Sequence, residues 1–153
     1  MKLILTLRKQ ITACLATVLF LASQSAMAQP ELPTVKVYKN PSCGCCKKWI
    51  SHLEKNGFKV EATNVSNLDP IKQKFGIAPQ FRACHTAKIG KYVVEGHVPA
   101  SDIKKMLTEK PDIMGLAVPG MPMGSPGMEG RRKDPYQVIS LKENGQPEVY
   151  SRH

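Results

Sequence analysis

Residues 34–65 read TVKVYKNPSCGCCKKWISHLEKNGFKVEATNV, and the order of patterns in them decides the fold. TVKVYK alternates, with Val35 and Val37 on one face, which predicts a strand. Cys46, Trp49, Ile50 and Leu53 then recur at helical spacing, with Gly57 as the C-terminal stop. FKVEATNV alternates again and sets Phe58, Val60 and Ala62 on one face. Strand, helix and strand with a short return make a βαβ unit with parallel strands. At its first turn stand three cysteines within four positions, Cys43, Cys45 and Cys46, followed by Lys47 and Lys48.

Downstream, LDPIKQKFGIAP predicts a short helix and a turn. ACHTAKIGKYVVEGHVP predicts two strands folded at Gly90, a register that sets Cys84 opposite Gly96 with His97 one step away. ASDIKKMLTEKP predicts a helix with Ser101 as its N-cap, ending before Pro111. This order, βαβ then hairpin then helix, is that of a thioredoxin-like α/β domain. GLAVPGMPMGSPGMEGRRKDP, rich in Gly, Pro and Met, reads as a loop. YQVISLKENGQPEVYSR closes the chain as a hairpin turning at Asn144-Gly145. There are no internal repeats.

Upstream, MKLILTLRK supplies a positive start, ITACLATVLFLAS an apolar stretch, and Ala26 and Ala28 small residues at its end. That is the pattern of a secretory signal peptide spanning residues 1–28. The apolar run is short for a membrane span of ~20 residues, and no membrane segment is expected in the mature form. Residues 29–110 then form the thioredoxin-like domain, and 111–153 an extension packing on it. Removing Lys2, Arg8 and Lys9 lowers the net charge from +10 to +7. The remaining basic residues are scattered with few aromatics, which argues against nucleic acid. Export to the periplasm would drive unprotected thiols towards disulfides. Yet Cys43, Cys45 and Cys46 stand so close together that rings among them are strained, a poor structural framework.

A Cys43-x-x-Cys46 pair between strand and helix is a redox position, where unpaired helix amides and the dipole favour thiolate. It leaves Cys45 without a reason. The hairpin brings Cys84 and His85 towards the same turn, with His97 nearby, so sulfurs and imidazoles converge. Such a set suits a thiophilic metal. Zinc would be content with three or four of these ligands. Copper(I) shares bridging thiolates and also accepts thioethers, which the mobile segment PGMPMGSPGM offers at Met121, Met123 and Met128. Trp49 is expected in the core, and His52 and His153 at the surface. A thiol–disulfide oxidoreductase using Cys43 and Cys46, or a copper chaperone without redox chemistry, are the rival readings.

CGCC after a strand, ACHT, GKYVVEGHVP and GLAVPGMPMGSPGME together resemble the CopG-type proteins of bacterial copper-resistance loci, also described as domain of unknown function 411. The resemblance covers roughly residues 34 to 140. GIAPQFRACHT departs from it, where a more apolar run is expected before the cysteine. The resemblance implies a periplasmic thioredoxin-like domain whose C-terminal extension contributes to metal binding. It further implies a multinuclear, thiolate-bridged copper cluster at the three-cysteine motif and a part in interconverting Cu(I) and Cu(II). The matching positions are Cys43, Cys45 and Cys46, Cys84 and His85, His97, and a methionine of the 121–128 loop. A monomer working beside a periplasmic copper efflux system completes the expectation.

Overall fold

The computed structural model describes residues 31–153. The signal-peptide expectation falls on residues 1–28, outside the described residues. Strand β1 (Val35–Lys39) buries Val35, Val37 and Lys39 and turns Lys36 outward, as its alternation requires. Helix α1 (Gly44–Lys55) follows, burying Cys46, Trp49 and Leu53. Asn56 caps its end, and Gly57 takes the positive φ of +87° that turns the chain away. Strand β2 (Val60–Asn64) then pairs parallel to β1. It lies at the sheet edge, which leaves Ala62 exposed although Phe58 is buried.

Helix α2 (Asp69–Lys74) and a 3₁₀ turn (Pro79–Phe81) lead to β3 (His85–Ile89) and β4 (Tyr92–Gly96). Helix α3 (Ala100–Glu109), β5 (Gly115–Val118), β6 (Gln137–Leu141) and β7 (Glu148–Arg152) complete, among the described residues, a mixed α/β arrangement of three helices and one seven-stranded sheet. The strand order is β2-β1-β3-β4-β5-β6-β7. The β1/β2 and β4/β5 pairs are parallel, and each is connected through a helix, α1 or α3. On one face Val35, Val37, Ala87, Ile89, Val94, Leu116 and Val118 pack with Trp49 and Leu53 of α1 and Ile103 and Met106 of α3.

Four expectations change. The hairpin loop is Gly90-Lys91, since Ile89 pairs with Tyr92 and Thr86 with Glu95. That moves the register by one and extrapolates Cys84 opposite His97 rather than Gly96. Helix α3 begins at Ala100 with Pro99 at its cap, so Ser101 already lies inside it. The Ala100 N–H donates instead to Nε2 of His52, 3.1 Å away, which takes that half-buried histidine out of the surface set. Finally, residues 115–118 are a strand. All four are buried between β4 and β6, so no alternation betrays them.

Opposite the apolar core, Lys72 of α2 and Glu95 of β4 form an ion pair, both almost wholly buried. Lys72 Nζ also donates to Thr86 Oγ1 at 2.9 Å. Glu95 accepts further from the Thr86 hydroxyl at 2.7 Å and from the Ala83 N–H at 2.6 Å. Each oxygen of the carboxylate therefore has a partner, which is the condition for burying it.

At the end of β4, Gly96 has a φ of +71°. A Cβ there would meet the Val118 carbonyl oxygen at 2.6 Å and the Ala83 Cβ at 2.7 Å. Its left-handed turn breaks the strand alternation and swings His97 to the side of His85, with ring centroids 5.3 Å apart. Gly96→Ala is therefore expected to cost about 2–4 kcal/mol in urea unfolding. Lys72→Met, which strands the Glu95 carboxylate, should cost about 3–5 kcal/mol, and adding Glu95→Gln should restore much of that loss. Equal losses in the single and double variants would refute the pairing account.

Candidate metal centre

Helix α1 begins at the cysteines because Cys43 is its N-cap: with φ −69° and ψ 98° its sulfur accepts the Cys46 N–H at 3.2 Å. The first turn carries no acidic residue, and Lys47 and Lys48 follow the cysteines directly. Cys43 and Cys46 are joined as a disulfide, with Cα atoms 5.4 Å apart. Cys45 and Cys84 are free thiols, both half-buried.

The hairpin supplies the other half. Cys45 Sγ lies 3.5 Å from Cys43 Sγ and 3.9 Å from Cys84 Sγ. The sulfurs of Cys43, Cys45, Cys46 and Cys84 all fall within 4.8 Å of one another. Cys84 also belongs to a second group on the same scale, with His85 and His97. His97 Nε2 is 3.0 Å and His85 Nδ1 3.3 Å from the Cys84 sulfur. Cys84 thus joins the cysteine turn to the two histidines.

Trp49 holds these parts together. Fully buried, it donates its Nε1–H to the Val98 carbonyl at 2.9 Å, and its ring rests on His85 with centroids 4.3 Å apart. The methionine-rich loop reaches the same place through Gly127 (φ +91°), where a Cβ would fall 2.6 Å from the Cys45 carbonyl oxygen and 3.0 Å from the Trp49 backbone nitrogen. Only a residue without a side chain seats the loop so closely. Glu129 fixes that seat by accepting the Gly127 N–H at 2.7 Å.

The methionines divide. Met128 is half-buried and directly follows Gly127. Met121 is 40% exposed and takes a φ of +50°. The Met123 methyl lies against Gly130. The structure therefore gathers Cys43, Cys45, Cys46, Cys84, His85 and His97. Of the three methionines, Met128 is the one flanking a residue seated on the cysteine helix.

Burial, followed by the neighbouring Cys45, pushes the Cys84 thiol up to about 12. His85 is held well below the usual imidazole range by burial and then by His97 and Lys72, and His97 is lowered chiefly by burial. Both rings are therefore neutral near pH 7 and carry lone pairs for a ligand. His85 Nε2 and His97 Nδ1 are buried with no well-formed hydrogen bond among the described residues, although the Gly96 and Pro126 backbone acts on the two rings. Buried polar atoms rarely stay unpartnered, and the donor set, soft sulfur with imidazole, fits a thiophilic ion. In the bridged form, Cys43 and Cys46 become such donors only after reduction.

Sequence reading missed the Lys72–Glu95–Thr86 network beneath Cys84 and the capping role of His52. A carboxylate at Glu95, inside an otherwise apolar strand, was the available signal for the first.

Residues 81–128 match the family described as "Protein of unknown function, DUF411". No curated protein matches the chain. Among solved structures, one titled "Copper resistance protein copG- Form 2" is 48% identical, with a TM-score of 0.76, covering 80% of this chain and 99% of that one. A second, "Copper resistance protein copG- Form 1", is also 48% identical, with a TM-score of 0.75, and covers 80% of this chain and 98% of its own. With likeness of this degree over most of the described residues, the chain belongs to the CopG-type copper-resistance proteins, the family also described as DUF411.

Proposed function

We propose that this protein binds copper as its cargo, in a multinuclear thiolate-bridged cluster at the CxCC turn, and takes part in interconverting Cu(I) and Cu(II). The observation that carries the reading is the approach of four cysteine sulfurs, from two distant parts of the chain, to within 4.8 Å. Cys43, Cys45, Cys46 and Cys84 would supply bridging sulfur, His85 and His97 terminal nitrogen. A thioether from Met128, or from Met121 or Met123 after movement of the loop, would complete the set. Zinc is the poorer fit, because a closed tetrahedral site needs only four of these donors.

The thioredoxin-like reading belongs with this proposal. It is supported by the parallel β1-α1-β2 unit, the β3–β4 hairpin beside it and α3 following. Strands β5 to β7 extend that plan, in keeping with residues 111–153 as an extension. Action in the periplasm as a monomer, alongside a copper efflux system, is proposed on the family membership and the N-terminal sequence pattern. No helix among the described residues is long and apolar enough to cross a membrane.

One observation favours a second reading. The Cys43–Cys46 bridge at the start of a helix is the arrangement of a thiol–disulfide oxidoreductase. That reading gives no task to Cys45, Cys84 or the methionines.

Elemental analysis of protein reduced before copper exposure is expected to return more than one copper per chain, and zinc alone or no metal would defeat the copper reading. In an insulin-reduction assay, turbidity is expected to stay at the dithiothreitol control. Full reductase activity in wild type, Cys45→Ser and Cys84→Ser alike would assign the enzyme instead.

A further inference from the structure

Among the described residues, the two cysteines outside the existing bridge face each other across the cleft between α1 and the hairpin. The geometry points to a second disulfide, Cys45–Cys84, formed by oxidation of the metal-free protein and closing the site to copper. The bond itself needs no copper; only the closing rests on the proposed function.

Cys45 has few alternatives. A bridge to Cys46, its neighbour, or to Cys43 across one residue closes a strained ring. Cys84 lies 3.9 Å away, on a different element. Bonding requires the sulfurs to approach to about 2.05 Å, and both sit at element ends, Cys45 in the first turn of α1 and Cys84 directly before β3. The link would span a sequence separation of 39, against 3 for Cys43–Cys46. It would thereby staple the helix start to the hairpin and restrain far more of the unfolded chain.

The chemistry balances with an external disulfide, protein or small molecule, as oxidant. The Cys45 thiol gives its proton to solvent, and its sulfur attacks one sulfur of the oxidant, forming a mixed disulfide and expelling one thiolate, which solvent protonates. Cys84 then attacks the Cys45 sulfur and expels the second thiolate. The Cys84 proton passes through His97 Nε2, 3.0 Å from its sulfur, to that departing thiolate. Two electrons leave the cysteine pair and reduce the oxidant to two thiols. Bound copper would occupy the same sulfurs, so cargo and bridge exclude each other.

The test uses the purified protein, metal-free and fully reduced, titrated with glutathione disulfide and mapped with trypsin without reduction. Peptides 40–47 and 83–88 are expected to appear linked, and the intact mass to fall by the hydrogens of two bridges. Cys45→Ser should lose the link while keeping Cys43–Cys46. Cu(I) uptake, read by competition with a chromophoric chelator, should vanish in the two-bridge form and return with dithiothreitol. Alkylatable Cys84 beside an intact Cys43–Cys46 bridge would overturn the proposal, as would a link that persists in Cys45→Ser. Undiminished copper uptake by the two-bridge form would overturn the closing. The two readings fail separately: reduced protein that takes up no copper defeats the copper reading and leaves the mass-detected bridge standing.

Discussion

The indole of Trp49 lies between the first turns of α1 and the end of the β3–β4 hairpin, its N–H spent on the Val98 carbonyl and its face on His85. Neither half of the site holds its geometry alone. The cysteine turn is a helix start, and helix starts fray unless capped and packed. The hairpin end is a place where the ladder has already stopped, turned by Gly96. A rigid, fully buried ring with a single directional donor fixes both to one another. Cys84 can then lie close to Cys45 although the two are far apart along the chain.

The interior so formed is hostile to charge. Burial keeps Cys84 protonated and both imidazoles neutral. A soft cation entering there would meet lone pairs at once from nitrogen, but from Cys84 only by displacing its proton, so that binding and deprotonation would be one event.

Much of this was legible because it is local. Val35, Val37, Cys46, Trp49 and Leu53 announce their elements through spacing alone, and Asn144-Gly145 announces its turn. The gathering of cysteines was legible too, since their density near one helix start has no good structural purpose. What failed was non-local or one residue wide. Whether Gly90 sits at the centre of a hairpin loop or first within it shifts every pair, and composition does not decide that. Residues 115–118, enclosed on both sides, lack the alternation that marks a half-exposed strand. Lys72 sits on a six-residue helix and looks like any surface lysine; its partner stands 23 positions away.

That ion pair does more than neutralise itself. Thr86 and Glu95 are direct neighbours across the β3–β4 ladder, and Lys72 touches both. Sliding one strand by a single position would turn Glu95 towards the apolar side and leave an ammonium group stranded in the interior, a penalty no packing gain could match. The salt link therefore acts as a ratchet on strand alignment. Because Cys84 and His97 lie just beyond the aligned segment, their encounter is decided by chemistry on the opposite face of the sheet.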